Sequence, residues 1–213
     1  MSQYDYRPDY KRHLPHFQPP GSSLFVTFRL ADSIPKVMLE RLKREAEARE
    51  RILKETPDPS ERDRLLYEES KRQFGRFDEI LDKATTGPFW LGQPEIAAIL
   101  AEALHYRHGK VYDLDAFCIM SNHAHVVFAP LEKEEGNWYA LQKIMHSLKR
   151  NTARKANLFL GHEGAFWQDE SYDHVVRDRQ EWERIVKYVL NNPVKAGLVA
   201  KWEDWPWTYL KTL

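Results

Sequence analysis

One cysteine, Cys118, occurs in 213 residues, which excludes an intrachain disulfide and any metal site built on several thiolates. It sits in an apolar run, where a small core side chain is expected. An excess of one charge is also missing: 32 basic and 32 acidic residues cancel. That balance argues against a general nucleic-acid coat, whose affinity comes from neutralising phosphates, and leaves room for a local basic groove. No apolar run reaches membrane-spanning length, and the opening Met1-Ser2-Gln3-Tyr4-Asp5-Tyr6-Arg7 lacks the apolar core of a signal peptide. A cytoplasmic protein with no membrane partner is the expectation.

What is present is a folding composition, with 42% hydrophobic and 13% aromatic residues. The length suits one domain over 1–213, or a core carrying an elaborated insertion. Residues 1–22 are rich in Pro, Tyr and basic groups and read as an extended arm. Residues 24–30 then alternate, with Leu24, Val26, Phe28 and Leu30 on one face, as a strand with one face committed to a core. A charged stretch over about 36–86, broken at Pro57-Asp58-Pro59, reads as two antiparallel helices forming an insertion. Helices are expected over 94–106 and from about Trp138 to Gly161, and a hairpin over 111–129. A short strand over 172–177 and a helix from about Arg179, stopped at Pro193, complete the order. Read through, this is β-α-β-β-α-β with an added C-terminal helix. It is the ferredoxin-like plan in the α+β class: an antiparallel sheet with helices packed on one face.

The most informative stretch is Ser121-Asn122-His123-Ala124-His125. Alternate residues of a strand share a face, so both imidazoles can converge on one divalent ion. The same spacing also suits two hydrogen-bonded, partly buried histidines. Ser121-Asn122 reads as the turn that places the histidines at the start of the returning strand.

Together with Tyr188-Val189-Leu190-Asn191-Asn192-Pro193-Val194-Lys195-Ala196-Gly197-Leu198-Val199, this stretch resembles the HUH single-tyrosine transposases, most closely the REP-associated branch. Phe166-Trp167-Gln168, Tyr172-Asp173-His174-Val175-Val176-Arg177-Asp178 and Asp204-Trp205-Pro206-Trp207-Thr208-Tyr209 also look like segments of that family. The resemblance covers most of the chain apart from the charged helical stretch. Ser-Asn stands where many relatives have Pro-Asn, a change that hairpin geometry survives.

The resemblance implies a bacterial transposase-like enzyme. Its fold would be ferredoxin-like, with a C-terminal tyrosine helix and, here, the charged helical hairpin as an insertion. His123 and His125 would hold a divalent metal, Mg2+ or Mn2+. A tyrosine would attack a phosphate of single-stranded or hairpin DNA, leaving a 5′-phosphotyrosine and a free 3′-hydroxyl at repeated palindromes. Tyr188 is the candidate nucleophile, because it falls beside the apolar stripe of Trp182, Ile185, Val186, Val189 and Leu190 rather than within it. Tyr172 is the alternative; it alternates with His174 on a strand and reads equally as a cross-strand aromatic. Asn192, one turn after Tyr188, is a candidate third ligand, or simply the terminator before Pro193. Coordination needs both histidines neutral, so activity should fall in acid.

Two stretches are candidate DNA contacts. Lys143, Arg150 and Arg154 share one helix face, which would otherwise be an ordinary solvated surface. Arg7, Lys11 and Arg12 lie in the arm among aromatic residues, which would otherwise strap across the sheet. The charged helical pair is nearly balanced in Arg, Lys and Glu, and reads as a self-satisfied surface hairpin or a partner-binding arm. The sequence leaves monomer and homodimer open. Its alternative function is a non-catalytic nucleic-acid-binding protein that keeps the fold.

Overall fold

A computed structural model describes residues 9–11 and 15–212. The chain divides into two compact units, Met1–Ala31 with Phe89–Leu213, and Asp32–Pro88. The arm begins with β1 (Asp9–Lys11) and β2 (Pro15–Phe17), which pair with each other. Gln18 then fixes the start of a later helix, α4 (Leu141–Leu160). Its amide donates to the Tyr139 carbonyl at 2.8 Å and accepts the Leu141 N–H at 2.8 Å. That supplies a partner for an N–H that the helix itself leaves unpaired.

The larger unit is built on a five-stranded antiparallel sheet. Its strands in chain order are β3 (Leu24–Arg29), β4 (Tyr112–Ile119), β5 (His123–Pro130), β8 (Tyr172–Val175) and β9 (Thr208–Leu210), and they lie in space as β8-β3-β5-β4-β9. A small hairpin, β6 (Glu132–Glu134) and β7 (Asn137–Trp138), follows β5. Leu24, Val26 and Phe28 of β3 share a face with Val126, Phe128, Phe117 and Ile119. That face packs against α3 (Pro94–Arg107) and α4 through Leu100, Leu104, Ile144 and Leu148. Each large aliphatic side chain buried there contributes roughly 2 kcal/mol. Tyr112 is buried with its hydroxyl donating to the Leu104 carbonyl at 2.8 Å, and Trp167 donates its indole N–H to Thr152 at 2.9 Å. These bonds satisfy the two polar atoms that the core could not otherwise accommodate.

The other sheet face holds Phe25, Thr27, Arg29, His123, His125 and Cys118. It is as deeply buried as the first, so all six residues of β3 are buried. The last helix, α5 (Arg179–Lys195), packs on this face, against β4, β5 and β9. Helices α3 and α4 therefore lie on one face of the sheet and the added helix α5 on the other.

One correction concerns Pro193, which lies inside α5 rather than ending it. In the last turn its missing N–H costs only one helical bond. The helix stops two residues later, where Gly197 takes a left-handed conformation (φ 71°) and the Leu198 N–H bonds the Pro193 carbonyl at 2.9 Å.

The smaller unit contains α1 (Lys36–Lys54) and α2 (Pro59–Asp82). Asp58 caps α2 by accepting the Ser60 N–H at 2.9 Å, and Pro59 fills the first helical position. Arg49 bonds both oxygens of Glu69, and Arg76 reaches Glu45 at 3.0 Å, so the helices run antiparallel with cross-matched charges. No helix of the described residues is long and apolar enough to cross a membrane.

Candidate metal and tyrosine centre

The hairpin between β4 and β5 is tied down on both sides. Met120 N–H bonds the His123 carbonyl at 2.9 Å, Leu30 N–H the Asn122 carbonyl at 2.9 Å, and Leu91 N–H the Ser121 carbonyl at 3.1 Å. The turn is therefore buried at Asn122 rather than exposed. It delivers His123 and His125 to the inner end of the sheet face beneath α5, at 1% and 0% exposure.

Hydrogen bonds fix both rings. His123 Nδ1 lies 2.6 Å from the Asn122 side-chain oxygen, so that nitrogen carries the proton and Nε2 carries a lone pair. His125 Nδ1 lies 2.7 Å from Thr27 Oγ1, its cross-strand partner. The Asn192 amide NH2 lies 3.2 Å from His125 Nε2, which makes that nitrogen an acceptor and places the His125 proton on Nδ1. The two Nε2 atoms stand 3.0 Å apart. At that distance in a buried site they can share one proton or one cation.

A divalent ion fits that gap. Two ligands about 2.1 Å from a common ion and at a right angle stand about 3.0 Å apart, whereas tetrahedral ligands would stand about 3.4 Å apart. Asn192 is fully buried, and its Oδ1 has no hydrogen-bond partner among the described residues. An amide oxygen orphaned beside two imidazole nitrogens is a third donor of the right kind. Asn192 sits within α5 and does not cap it; the helix passes through it to Lys195.

Tyr188 is half-buried on the same helix, and its ring meets the His125 ring at 5.6 Å and the Phe25 ring at 6.1 Å. Tyr172 pairs with Thr27 across β3 and β8, and its ring meets Phe25 at 6.4 Å. Phe25 thus touches both tyrosines, while His125 has a ring contact with Tyr188.

The first half of α5 is held by three polar ties. Asp178 caps the helix by accepting the Glu181 N–H at 2.8 Å. Glu181 lies 3.2 Å from His174 of β8. Asp115, at a register shift in β4, accepts the Trp182 indole N–H at 2.8 Å. Burial raises the Asp115 pKa above the ordinary aspartate range, with the Trp182 bond opposing the shift. Sequence reasoning missed Thr27, Asn122 and Asp115. Thr27 carried one signal, as a polar residue on the second face of its strand. The Asp115 bulge carried none.

The DNA-contact candidates fall elsewhere. Lys143, Arg150 and Arg154 are exposed on α4, on the sheet face opposite the histidines, and none has a hydrogen bond or ion pair among the described residues. Arg7 and Arg12 lie outside the described residues; Lys11 ends β1.

No protein-family model matches the chain. Over 102 residues it is 24% identical to a Haemophilus influenzae protein named as a REP-associated tyrosine transposase, covering 46% of this chain and 58% of that one. It is 21% identical over 102 residues to the REP-associated tyrosine transposase of Escherichia coli K12, covering 48% and 56%. The chain thus spans little more than half the length of these curated relatives. A solved structure, a REP-associated tyrosine transposase bound to a REP hairpin, shares the fold with a TM-score of 0.53 and 14% identity, over 93% of this chain and 82% of that one. The chain is a homologue of proteins named REP-associated tyrosine transposases.

Proposed function

We propose that the protein is a metal-dependent single-strand DNA endonuclease and strand transferase that acts at hairpin-forming repeats. The observation that carries this reading is the convergence of the two Nε2 atoms, 3.0 Å apart, with the orphaned Asn192 oxygen, beside the ring of Tyr188. His123, His125 and Asn192 would hold a divalent ion. Mg2+ prefers all-oxygen shells, so the two imidazoles make Mn2+ the better fit of the expected pair. Bound there, the ion polarises a phosphate and offsets the charge that builds on it.

The chain's own residues do the rest. Thr27 and Asn122 hold the imidazoles by their Nδ1 atoms and turn both Nε2 atoms toward the site. Phe25 packs against the rings of both Tyr188 and Tyr172. The Tyr188 hydroxyl oxygen forms a bond to phosphorus as the bond from phosphorus to the 3′ oxygen breaks. The phenol loses its proton, the departing 3′ oxygen gains one, and a 5′-phosphotyrosine remains. Because one phosphodiester replaces another, the linkage keeps its energy for a later strand transfer.

Tyr188 is favoured over Tyr172 by its ring contact with His125. The strand order, with helices α3 and α4 between strands, supports a ferredoxin-like plan carrying the helical pair as an insertion within a single HUH-type domain. Hairpin DNA is the proposed substrate because the similar solved protein is bound to one. Incubation with a hairpin oligonucleotide and Mn2+ tests the reading, by whether a denaturation-resistant protein–DNA adduct forms.

A further inference from the structure

The residue that carries the proposed chemistry lies at the border between the buried and exposed faces of α5. Around the helix axis, Arg184, Asn191 and Lys195 all fall within about 60° of Tyr188, on its solvent side. Lys187 flanks them. Arg184, Lys187 and Lys195 are exposed, and neither the Arg184 nor the Lys187 side chain has a hydrogen bond or ion pair among the described residues. Lys195 places its Nζ 5.8 Å from the centre of the Tyr188 ring.

Charge along this stretch is one-sided. From Arg184 to Lys201 the sequence contains Arg184, Lys187, Lys195 and Lys201 and no acidic residue, although acids and bases balance over the whole chain. Glu183, just before it, is already paired with Arg179 at 2.9 Å. On the helical pair, by contrast, Arg41, Arg49, Arg64 and Arg76 each have a glutamate partner; α4 shares the unmatched pattern but lies on the far face of the sheet. A solvated helix face gains nothing from leaving Arg184 and Lys187 unmatched. A polyanion lying along it would.

We propose that the outer face of α5 is the track along which the backbone of single-stranded DNA reaches Tyr188, with Arg184 and Lys187 as phosphate contacts and Lys195 beside the attacking ring. The inference rests on the reading that Tyr188 attacks DNA. It differs from the sequence expectation, which set the phosphate contacts on α4. That row lies across the sheet from the histidines, and a strand on it alone would not pass the tyrosine. The track from Arg184 to Lys195 spans roughly 16 Å of helix, enough for about three phosphates of an extended single strand, the attacked one among them.

The test compares wild type with the Arg184→Gln/Lys187→Gln double variant. Fluorescence anisotropy would follow binding of a labelled hairpin oligonucleotide carrying an unpaired flank, over a range of salt. Both side chains are exposed, so an unchanged melting temperature checks the fold. Loss of two phosphate contacts on a single strand should reduce the slope of log K against log salt by roughly 1.4 and weaken binding about tenfold at physiological salt. The same hairpin trimmed of its flank should bind both proteins alike. Equal slopes on the flanked DNA, or no binding by wild type, overturn the track. A reduced slope with no covalent adduct in wild type leaves the track standing and sinks the catalytic reading.

Discussion

Tyr188 and His125 meet ring to ring, 5.6 Å between centroids and inclined at 67°. The contact joins the returning strand of the hairpin to a helix residue 63 positions further along the chain (188 − 125). It puts a phenol beside an imidazole whose Nε2 lies 3.0 Å from that of a second imidazole. Such an arrangement makes predictions about metal, position and charge that can be checked separately.

Metal binding should depend on both histidines. In Mn2+ at a hundredfold excess over the dissociation constant, wild type should melt roughly 5–10 °C higher than without it. His123→Ala and His125→Ala should lose most of that shift. A variant that keeps it in full would place the ion elsewhere.

Asn192 separates ligand from packing. Asn192→Asp exchanges an amide oxygen for a carboxylate of nearly the same shape, so Mn2+ binding should persist or tighten. Asn192→Leu keeps the volume and removes the donor, so affinity should fall at least about tenfold, the usual range for lost support at a metal site. Equal affinity in the leucine variant and wild type would show that the side chain does not hold the ion.

Much of this architecture is legible in the sequence, and the reasons differ by element. Residues 94–106 repeat their apolar side chains at helical spacing and residues 123–129 follow a turn, so α3 and β5 stand out locally. The His-x-His pair is visible because strand alternation alone puts both rings on one face. The Pro193 rule misleads because a proline in a final turn removes a single bond, and the glycine two residues past the helix end decides where it stops. Strand β9 has three residues and no period to read; it forms because the edge of β4 accepts it. Thr27 and Asn122 act through hydrogen bonds set by strand register and by a turn, and neither is marked by its neighbours in sequence. That α5 covers the histidine face is a tertiary fact, since an amphipathic helix reveals its apolar side but not the surface it meets.

Phe25 should matter more for activity than for metal. Phe25→Leu removes ring contacts to His125, Tyr172 and Tyr188. It should cost about 1–2 kcal/mol of stability and slow adduct formation, with Mn2+ affinity little changed. Chemical denaturation and an adduct time course on the same variant would check both parts. Adduct formation at the wild-type rate would reduce Phe25 to packing.

Asp115 gives a pH signature. Burial raises its pKa in the folded protein, so between its unfolded and folded values the native state binds more protons than the unfolded one. Stability from this group is therefore fullest below the unfolded value and is lost as pH rises from roughly 4 through the raised value. Asp115→Asn keeps an oxygen for the Trp182 N–H and removes the titration. Its stability relative to wild type should increase with pH across that window and then level off. A difference that does not change with pH would show that the carboxyl is unperturbed in the fold.

The most direct measurement is to trap the covalent intermediate. Wild type and Tyr188→Phe would be incubated with hairpin DNA bearing an unpaired flank and Mn2+, then denatured, and the adduct digested and mapped by mass spectrometry. The account predicts a metal-dependent adduct in wild type, mapped to Tyr188, and none in the phenylalanine variant, whose fold and Mn2+ binding remain. An adduct that persists in the variant and maps to Tyr172 would contradict the assignment of the nucleophile. Tight hairpin binding by wild type with no adduct on any repeat-bearing DNA would contradict the catalytic reading itself, leaving a DNA-binding protein on the transposase fold.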